Sequence, residues 1–201
     1  MVYYDGQSGF ITVITGPMFS EKSGKLIERC VKEELYGKKR YIAYKPDMDN
    51  RYADDRIMSR VGTSVPAKSI PVELDDKLIS EIIEETIPYD IVAFDEAQFF
   101  NNKIIKLVKE LAYNKKHVII DGLNLDYRGK EFGYMGGLLS MADEIEKLTA
   151  YCSVCGRPAN FTQRMVNKSP AKLGEIVLIG DNEDYEVRCR NCFVPPDKVD
   201  K

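Results

Sequence analysis

Little in this chain of 201 residues is in excess. Its 29 Lys and Arg stand against 32 Asp and Glu, a net charge of −3, which is not the footprint of a protein whose main work is to grip a phosphate backbone. No apolar run exceeds strand length, and no N-terminal stretch joins a charged flank to an apolar core. The expectation is therefore neither membrane insertion nor secretion, and a cytoplasmic location by default. Cysteine is scarce at five residues, yet four of them fall in paired spacing. In a reducing compartment such pairs point to metal rather than to disulfides. What the chain does have is core-forming material, 44% hydrophobic residues, enough for one full domain with or without a small appendage.

Apolar stretches come in an alternating rhythm. Phe10 to Thr15 is a continuous β-branched run, the pattern of a strand buried on both faces of a parallel sheet. Leu26, Ile27, Cys30, Val31 and Leu35 then recur at helical spacing, which makes Cys30 a core residue. Tyr41 to Tyr44 reads as a second strand closed by Pro46, Val72 to Ile87 as a helix and Tyr89 to Phe94 as a strand. Ile104 to Ala112 reads as a helix, His117 to Ile120 as a strand, Met135 to Ala142 as a helix and Ile145 to Tyr151 as a last strand. Strand and helix in alternation predict an α/β domain over residues 1–150, a parallel sheet flanked by helices. Pro46 to Ser69 has weak periodicity and is either a functional excursion or a solvated surface loop.

Ligands of such sheets gather beyond the carboxyl ends of the strands, and three chemically loaded stretches belong there. The first is Gly16-Pro17-Met18-Phe19-Ser20-Glu21-Lys22-Ser23, between strand and helix. In a phosphate-binding loop of the form G-x-x-x-x-G-K-[ST], backbone N–H groups wrap the phosphates, the Lys reaches the β and γ oxygens, and the hydroxyl holds Mg²⁺. Gly16, Lys22 and Ser23 fit, but Glu21 stands where the second Gly belongs. The second stretch is Asp95-Glu96, an acidic pair at the end of a buried strand. Asp95 suits the Mg²⁺ side. Glu96, which points elsewhere, is either a general base or a salt-bridge partner across the cleft. The third is Gly122 to Gly133, whose Tyr127 and Phe132 either stack on a planar base or pin the loop to the core.

Cys152-x-x-Cys155 and Cys189-x-x-Cys192 form two knuckles that close one Cys₄ zinc site. With four thiolates the ion has no open position, so it is structural. Residues 151–193 are thus read as a zinc-ribbon lobe, in which strands Phe161 to Val166 and Ile176 to Gly180 flank a loop that the metal ties down and that is able to fold over a ligand. Residues 194–201 are read as a flexible polar tail.

The set as a whole resembles the type II thymidine kinases, the zinc-containing cytosolic family, in order from about Gly9 to Cys192. The resemblance rests on Gly16-Pro-Met-Phe-Ser with Lys22-Ser23, Asp49-Asn-Arg-Tyr52, Asp95-Glu-Ala-Gln-Phe-Phe100 and Gly122-Leu with Tyr127-Arg-Gly and Phe132-Gly133. It extends to Cys152-x-x-Cys155, Thr162-Gln-Arg164 and Tyr185 ahead of Cys189-x-x-Cys192. It implies transfer of the γ-phosphoryl group of ATP to the 5′-hydroxyl of thymidine, with Glu96 as general base, Asp95 and Ser23 on Mg²⁺, and the loop with Arg51 on the phosphates. It also implies that Phe100, Leu123, Tyr127, Phe132, Thr162, Ile176, Leu178, Gly180 and Tyr185 surround the nucleoside, held largely by main-chain groups of a lasso loop. The same resemblance implies a homotetramer inhibited by thymidine triphosphate; charge balance and the lack of long apolar runs lead to the expectation of neither nucleic acid nor membrane as partner.

Glu21 is the departure that matters. A non-Gly residue in left-handed geometry costs roughly 1 to 2 kcal/mol, and a carboxylate facing the phosphates repels them. A carboxylate turned to solvent, pairing with Lys25 or Arg29, does little harm. The alternative to an active kinase is therefore a nucleotide-binding relative impaired at this residue. A zinc-ribbon nucleic-acid module is disfavoured, because the basic residues of the lobe are offset by Glu175, Asp181, Glu183, Asp184 and Glu186.

Overall fold

The computed structural model describes residues 8–48, 55–176 and 185–198. Arg51, Leu178 and Gly180 lie outside them, as does most of the Ile176 to Gly180 strand read from the sequence.

Six strands form one parallel sheet: β1 (Phe10–Thr15), β2 (Tyr41–Pro46), β5 (Lys68–Ile70), β6 (Ile91–Phe94), β7 (His117–Gly122) and β8 (Glu144–Lys147), in the order β5-β2-β6-β7-β1-β8. Strand side chains alternate between faces, and here both faces are apolar. Val13, Tyr44, Val92, Phe94, Val118 and Ile120 enter one core, while Ile14, Ala43, Ile91, Ala93 and Ile119 enter the other. That two-sided burial is why the strands read as unbroken apolar runs.

Helix α1 (Lys22–Leu35) covers the second face with Leu26, Ile27 and Cys30. The first face is covered by α2 (Asp76–Glu85), α3 (Lys103–Tyr113) and α4 (Met135–Ser140). In α3 the buried set Ile104, Leu107, Val108 and Leu111 follows helical spacing, and each such side chain contributes about 1.5–3 kcal/mol of burial. Helix α2 begins later than Val72 because the Asp75 carboxylate accepts the Leu78 N–H at 2.7 Å and caps it there.

Two stretches depart from the sequence reading. Pro46 to Ser69 is not wholly irregular: β3 (Arg56–Met58) and β4 (Ser64–Pro66) pair as a hairpin whose Ile57 and Val65 pack under α1, and β5 then joins the sheet edge. The strand read from Ile145 to Tyr151 is two strands. Where β1 ends, the Leu148 N–H donates to the Thr15 carbonyl at 2.7 Å. Beyond it the chain leaves the sheet, and β9 (Ala150–Tyr151) pairs antiparallel with β10 (Pro158–Ala159). The small lobe adds β11 (Phe161–Val166), β12 (Ser169–Pro170) and β13 (Tyr185–Arg188), in the order β12-β11-β13. Its tail starts later than residue 194, since the buried Gln163 side chain holds both the N–H and the carbonyl of Val194, and Pro196 is buried.

Candidate active site

The loop between β1 and α1 folds tightly over its own backbone. A Cβ on Gly16 would lie 2.6 Å from the Leu148 carbonyl oxygen and 2.7 Å from Ser20 Oγ, so only Gly fits. Ser20 Oγ donates to the Pro17 carbonyl at 2.8 Å, and Lys22 Nζ to the same oxygen at 3.1 Å. Helix α1 has neither a side-chain cap nor an acid in its first turn. Its first amides are therefore left to the loop, as an anion site requires.

Glu21 adopts φ 62° and ψ 33°, the left-handed geometry expected of the missing Gly. Its side chain is exposed and turns outward: Oε2 lies 3.2 Å from where a Cβ on Gly24 would sit. Gly24, three residues on, supplies the space. The pairing expected for a carboxylate turned to solvent does not form, because Lys25 pairs with Glu28 and Arg29 with Glu144 and Glu146.

The acids meet this loop from below. Ser23 Oγ donates to Asp95 Oδ1 at 3.0 Å. Because Phe94 registers with Ile120 in the sheet, the next residues, Asp95 and Asp121, emerge side by side under the start of α1. Both are buried, and Asp121 Oδ2 meets no hydrogen-bond donor among the described residues. Burial, then the facing carboxylates of Asp121 and Glu96, holds the Asp95 carboxyl well above the usual carboxylate range, and burial pushes Asp121 up to about 6. Of the two, Asp95 stands beside the Ser23 hydroxyl, a hard oxygen pair that suits Mg²⁺.

Glu96 also stands in left-handed geometry, φ 50° and ψ 44°, at the entrance of a short 3₁₀ turn over Ala97–Phe99. Its N–H donates to Asp121 Oδ1 at 3.0 Å, and its carboxylate accepts from Gln98 Nε2. Gln98 Oε1 in turn accepts the Leu123 N–H at 3.0 Å. The sequence reading named neither Asp121 nor Gln98 as a site residue. Asp121-Gly122 resembles an ordinary turn pair, and the legible signal was a carboxylate at the end of an otherwise apolar strand.

The 3₁₀ turn also sends two neighbouring rings to different sides. Phe100, read as a nucleoside contact, is 2% exposed and packs edge-on against Phe94 in the core. Phe99 is the neighbour that faces Phe132, ring to ring at 5.6 Å. A one-residue offset on a tight turn sends the side chain to the other side.

Around the opening, Tyr127 OH exchanges hydrogen bonds with the N–H and the carbonyl of Gly174. The buried Arg164 lies over the Tyr127 ring at 4.0 Å, bonds Tyr185 OH and donates to the carbonyls of Glu175 and Ile176. These contacts bring Tyr127, Tyr185 and Ile176 together, with Arg164 as the hub, a residue that the sequence reading quoted in Thr162-Gln-Arg164 without a site role. Thr162 Oγ1 faces the phosphate loop and accepts the Met18 N–H at 3.0 Å. Phe19 packs against the lobe's small core, and Arg60 stacks on its ring at 4.0 Å.

The four thiols of Cys152, Cys155, Cys189 and Cys192 lie within 4.8 Å of one another. Two of the separations, Cys155 to Cys189 and Cys155 to Cys192, are 3.7 Å. A tetrahedron with Zn–S bonds of about 2.3 Å has edges of about 3.8 Å, so the cluster fits zinc. Knuckle turns are formed by Gly156 N–H to the Cys152 carbonyl and by Cys192 and Phe193 N–H to the Cys189 carbonyl.

A family model described as thymidine kinase matches residues 9–193, most of the chain. The chain belongs to the thymidine kinase family. Among solved structures, the X-ray structure of the Legionella pneumophila ATPase DotB is similar at 14% identity and a TM-score of 0.42, over 77% of this chain and 45% of that one. The present chain thus spans less than half the length of that ATPase. Among the described residues no helix is long and apolar enough to cross a membrane.

Proposed function

We propose that the protein is an active thymidine kinase that transfers the γ-phosphoryl group of ATP to the 5′-hydroxyl of thymidine. The observation that carries this reading is the convergence of Lys22, Ser23, Asp95 and Glu96 at the carboxyl ends of β1 and β6, in a chain of the thymidine kinase family. When bound, Mg²⁺ neutralises charge developing on the phosphates. The loop over Gly16 to Ser23 wraps the triphosphate with backbone N–H groups, and Lys22 exchanges the Pro17 carbonyl for phosphate oxygens. Ser23 and Asp95 hold the cation side. Glu96 takes the proton from the 5′-hydroxyl as it attacks. Arg51 is assigned to the phosphates on the resemblance alone.

Tyr127, Phe132, Leu123, Thr162, Ile176, Leu178, Gly180 and Tyr185 are assigned to the nucleoside, with Phe99 in place of Phe100. The stretch Gly174 to Ile176, anchored by Tyr127 and Arg164, is assigned to the side of the base, where it helps to exclude water, which otherwise competes as acceptor. Homotetramer formation, inhibition by thymidine triphosphate and a cytoplasmic location belong to the same reading. The impaired alternative loses its support because the Glu21 carboxylate turns away from the loop interior.

The test is phosphorylation of thymidine by ATP and Mg²⁺ in the unaltered chain and in Glu96→Gln. Loss of a positioned base lowers kcat by about 10²- to 10⁴-fold, with the thymidine KM little changed. Equal turnover in the two proteins removes Glu96 from the chemistry, and no turnover in the unaltered chain removes the function.

A further inference from the structure

Glu96 is the one residue whose aim decides whether a bound hydroxyl loses its proton, and its backbone stands in a geometry that non-Gly residues rarely hold. Such a conformation persists only where its surroundings dictate it. The dictating contact comes from β7, the strand between β6 and β1. Asp121 Oδ1 accepts the Glu96 N–H at 3.0 Å, across 25 residues of chain, and Asp121 is fully buried. Its place is fixed from both sides by registered pairing of β7 with β6 and with β1. Within the turn the Phe99 N–H donates to the Glu96 carbonyl at 3.2 Å, and the Asp121 bond is what ties that turn to β7.

We infer that Asp121 is a positioning residue for the reaction, holding the Glu96 backbone so that its carboxylate is aimed at the acceptor hydroxyl. This rests on the reading of Glu96 as the base. Gln98 steadies the same carboxylate from the other end, through the Leu123 N–H and the space left by Gly122 and Gly133. A Cβ on Gly122 would lie 2.7 Å from Gln98 Oε1, and one on Gly133 would lie 2.2 Å from the Gln98 carbonyl oxygen. Asp121 fixes the backbone and Gln98 the side chain. Removing the first should loosen the aim of the base without emptying the substrate pocket.

Three variants test this: Asp121→Ala, Asp121→Ser and Asp121→Asn. Ala removes the acceptor, and Ser is too short to reach the Glu96 N–H. Asn keeps a carbonyl-type oxygen at the same position. The expected result is a kcat at least about tenfold lower in Ala and Ser, with KM for thymidine and for ATP within about threefold of the unaltered chain. Asn should recover at least half of the logarithmic loss. A kcat in Asp121→Ala equal to that of the unaltered chain overturns the inference. So does equal impairment in Asn and Ala that excess Mg²⁺ repairs, which would assign Asp121 to the cation instead. Failure of both Ala and Ser to fold, judged by circular dichroism and zinc content, overturns it by assigning Asp121 to the fold. Should the unaltered chain phosphorylate no thymidine, the proposed function falls, and the inference is read from hydrogen exchange of the Glu96 amide. Protection kept in Asn and lost in Ala or Ser supports it, and equal exchange in all of them sinks it.

Discussion

The sheet domain and the zinc lobe are ordered by different physics. In the sheet, whole side chains disappear: Ile14, Leu26, Phe94, Leu107 and Leu111 are buried between strands and helices, and the backbone is paired along every interior strand. Among the described residues the lobe has a small cluster of Ala150, Cys152, Ala159, Val187 and Cys189, with Phe19 and Cys192 at its margin, and Phe161, Met165 and Ala171 buried outside it. Instead it is tied by polar side chains reaching for backbone, Gln163 to Val194 and Arg164 to Glu175 and Ile176, and by four thiols gathered for a metal. Among the described residues that apolar set is small for a lobe held by burial alone. A domain built by burial is tolerant of its ligands; one built by ligation is not.

Zinc removal should break the comparison most sharply. Structural zinc contributes apparent binding energies of about 10–16 kcal/mol in small domains, and that energy is folding energy. A chelator, or Cys189→Ser, should abolish the ordered lobe and with it nucleoside phosphorylation. The helical circular dichroism of the sheet domain should survive, and limited proteolysis should cut after residue 150 and spare residues before it. Cooperative loss of both regions together would show that the two are one folding unit.

Acid should act in the opposite sense, on the sheet. His117, on β7, shares a hydrogen bond with Thr12 Oγ1 at 2.9 Å, and burial lowers its pKa from 6.5 to about 4. The folded protein therefore keeps His117 neutral where the unfolded chain protonates it. Its contribution is present above pH 6.5 and is lost as pH falls toward 4. Between pH 7 and pH 5 the loss amounts to about 2 kcal/mol. Urea unfolding at both values should show it in the unaltered chain and not in His117→Asn, and the difference between the two proteins cancels any contribution from thiolate protonation.

The smallest effect is expected at Glu21. Relief of its left-handed strain in Glu21→Gly is offset by the chain entropy of Gly, leaving a gain of about 1 kcal/mol or less in thermal unfolding. The ATP KM should stay within about threefold, because the carboxylate lies over Gly24 rather than in the loop. A drop of orders of magnitude would place that carboxylate against the phosphates.

Much of the sheet domain was legible because its signals are strong and local: β-branched runs buried on two faces, helical spacing between them, and Gly16 with Lys22 at the first turn. The misses have common causes. Strand β5 is three residues, with Lys68 and Ser69 exposed, and its edge position leaves no apolar run to notice. At the other edge, β8 alternates half-buried and exposed residues and merges in sequence with β9, so only the end of β1 reveals where one stops. Phe99 and Phe100 differ by a turn geometry that spacing does not encode. Asp121 and Gln98 act through residues distant in sequence, and only their placement next to Glu96 gives them meaning. The zinc cysteines were legible because coordination demands a fixed residue type at a fixed spacing; Arg164, which organises the same lobe through backbone carbonyls, leaves no such trace.

The sheet order has a consequence for how the chain is made. Strand β1, which carries the phosphate loop, is the first to leave the ribosome, yet its two partners are β7 and β8, beginning at His117 and Glu144. Early in synthesis that apolar strand has no native neighbour. The loop from Gly16 to Ser23 thus takes its working shape only once residues through Lys147 have emerged, and closing so long a span makes it late to form.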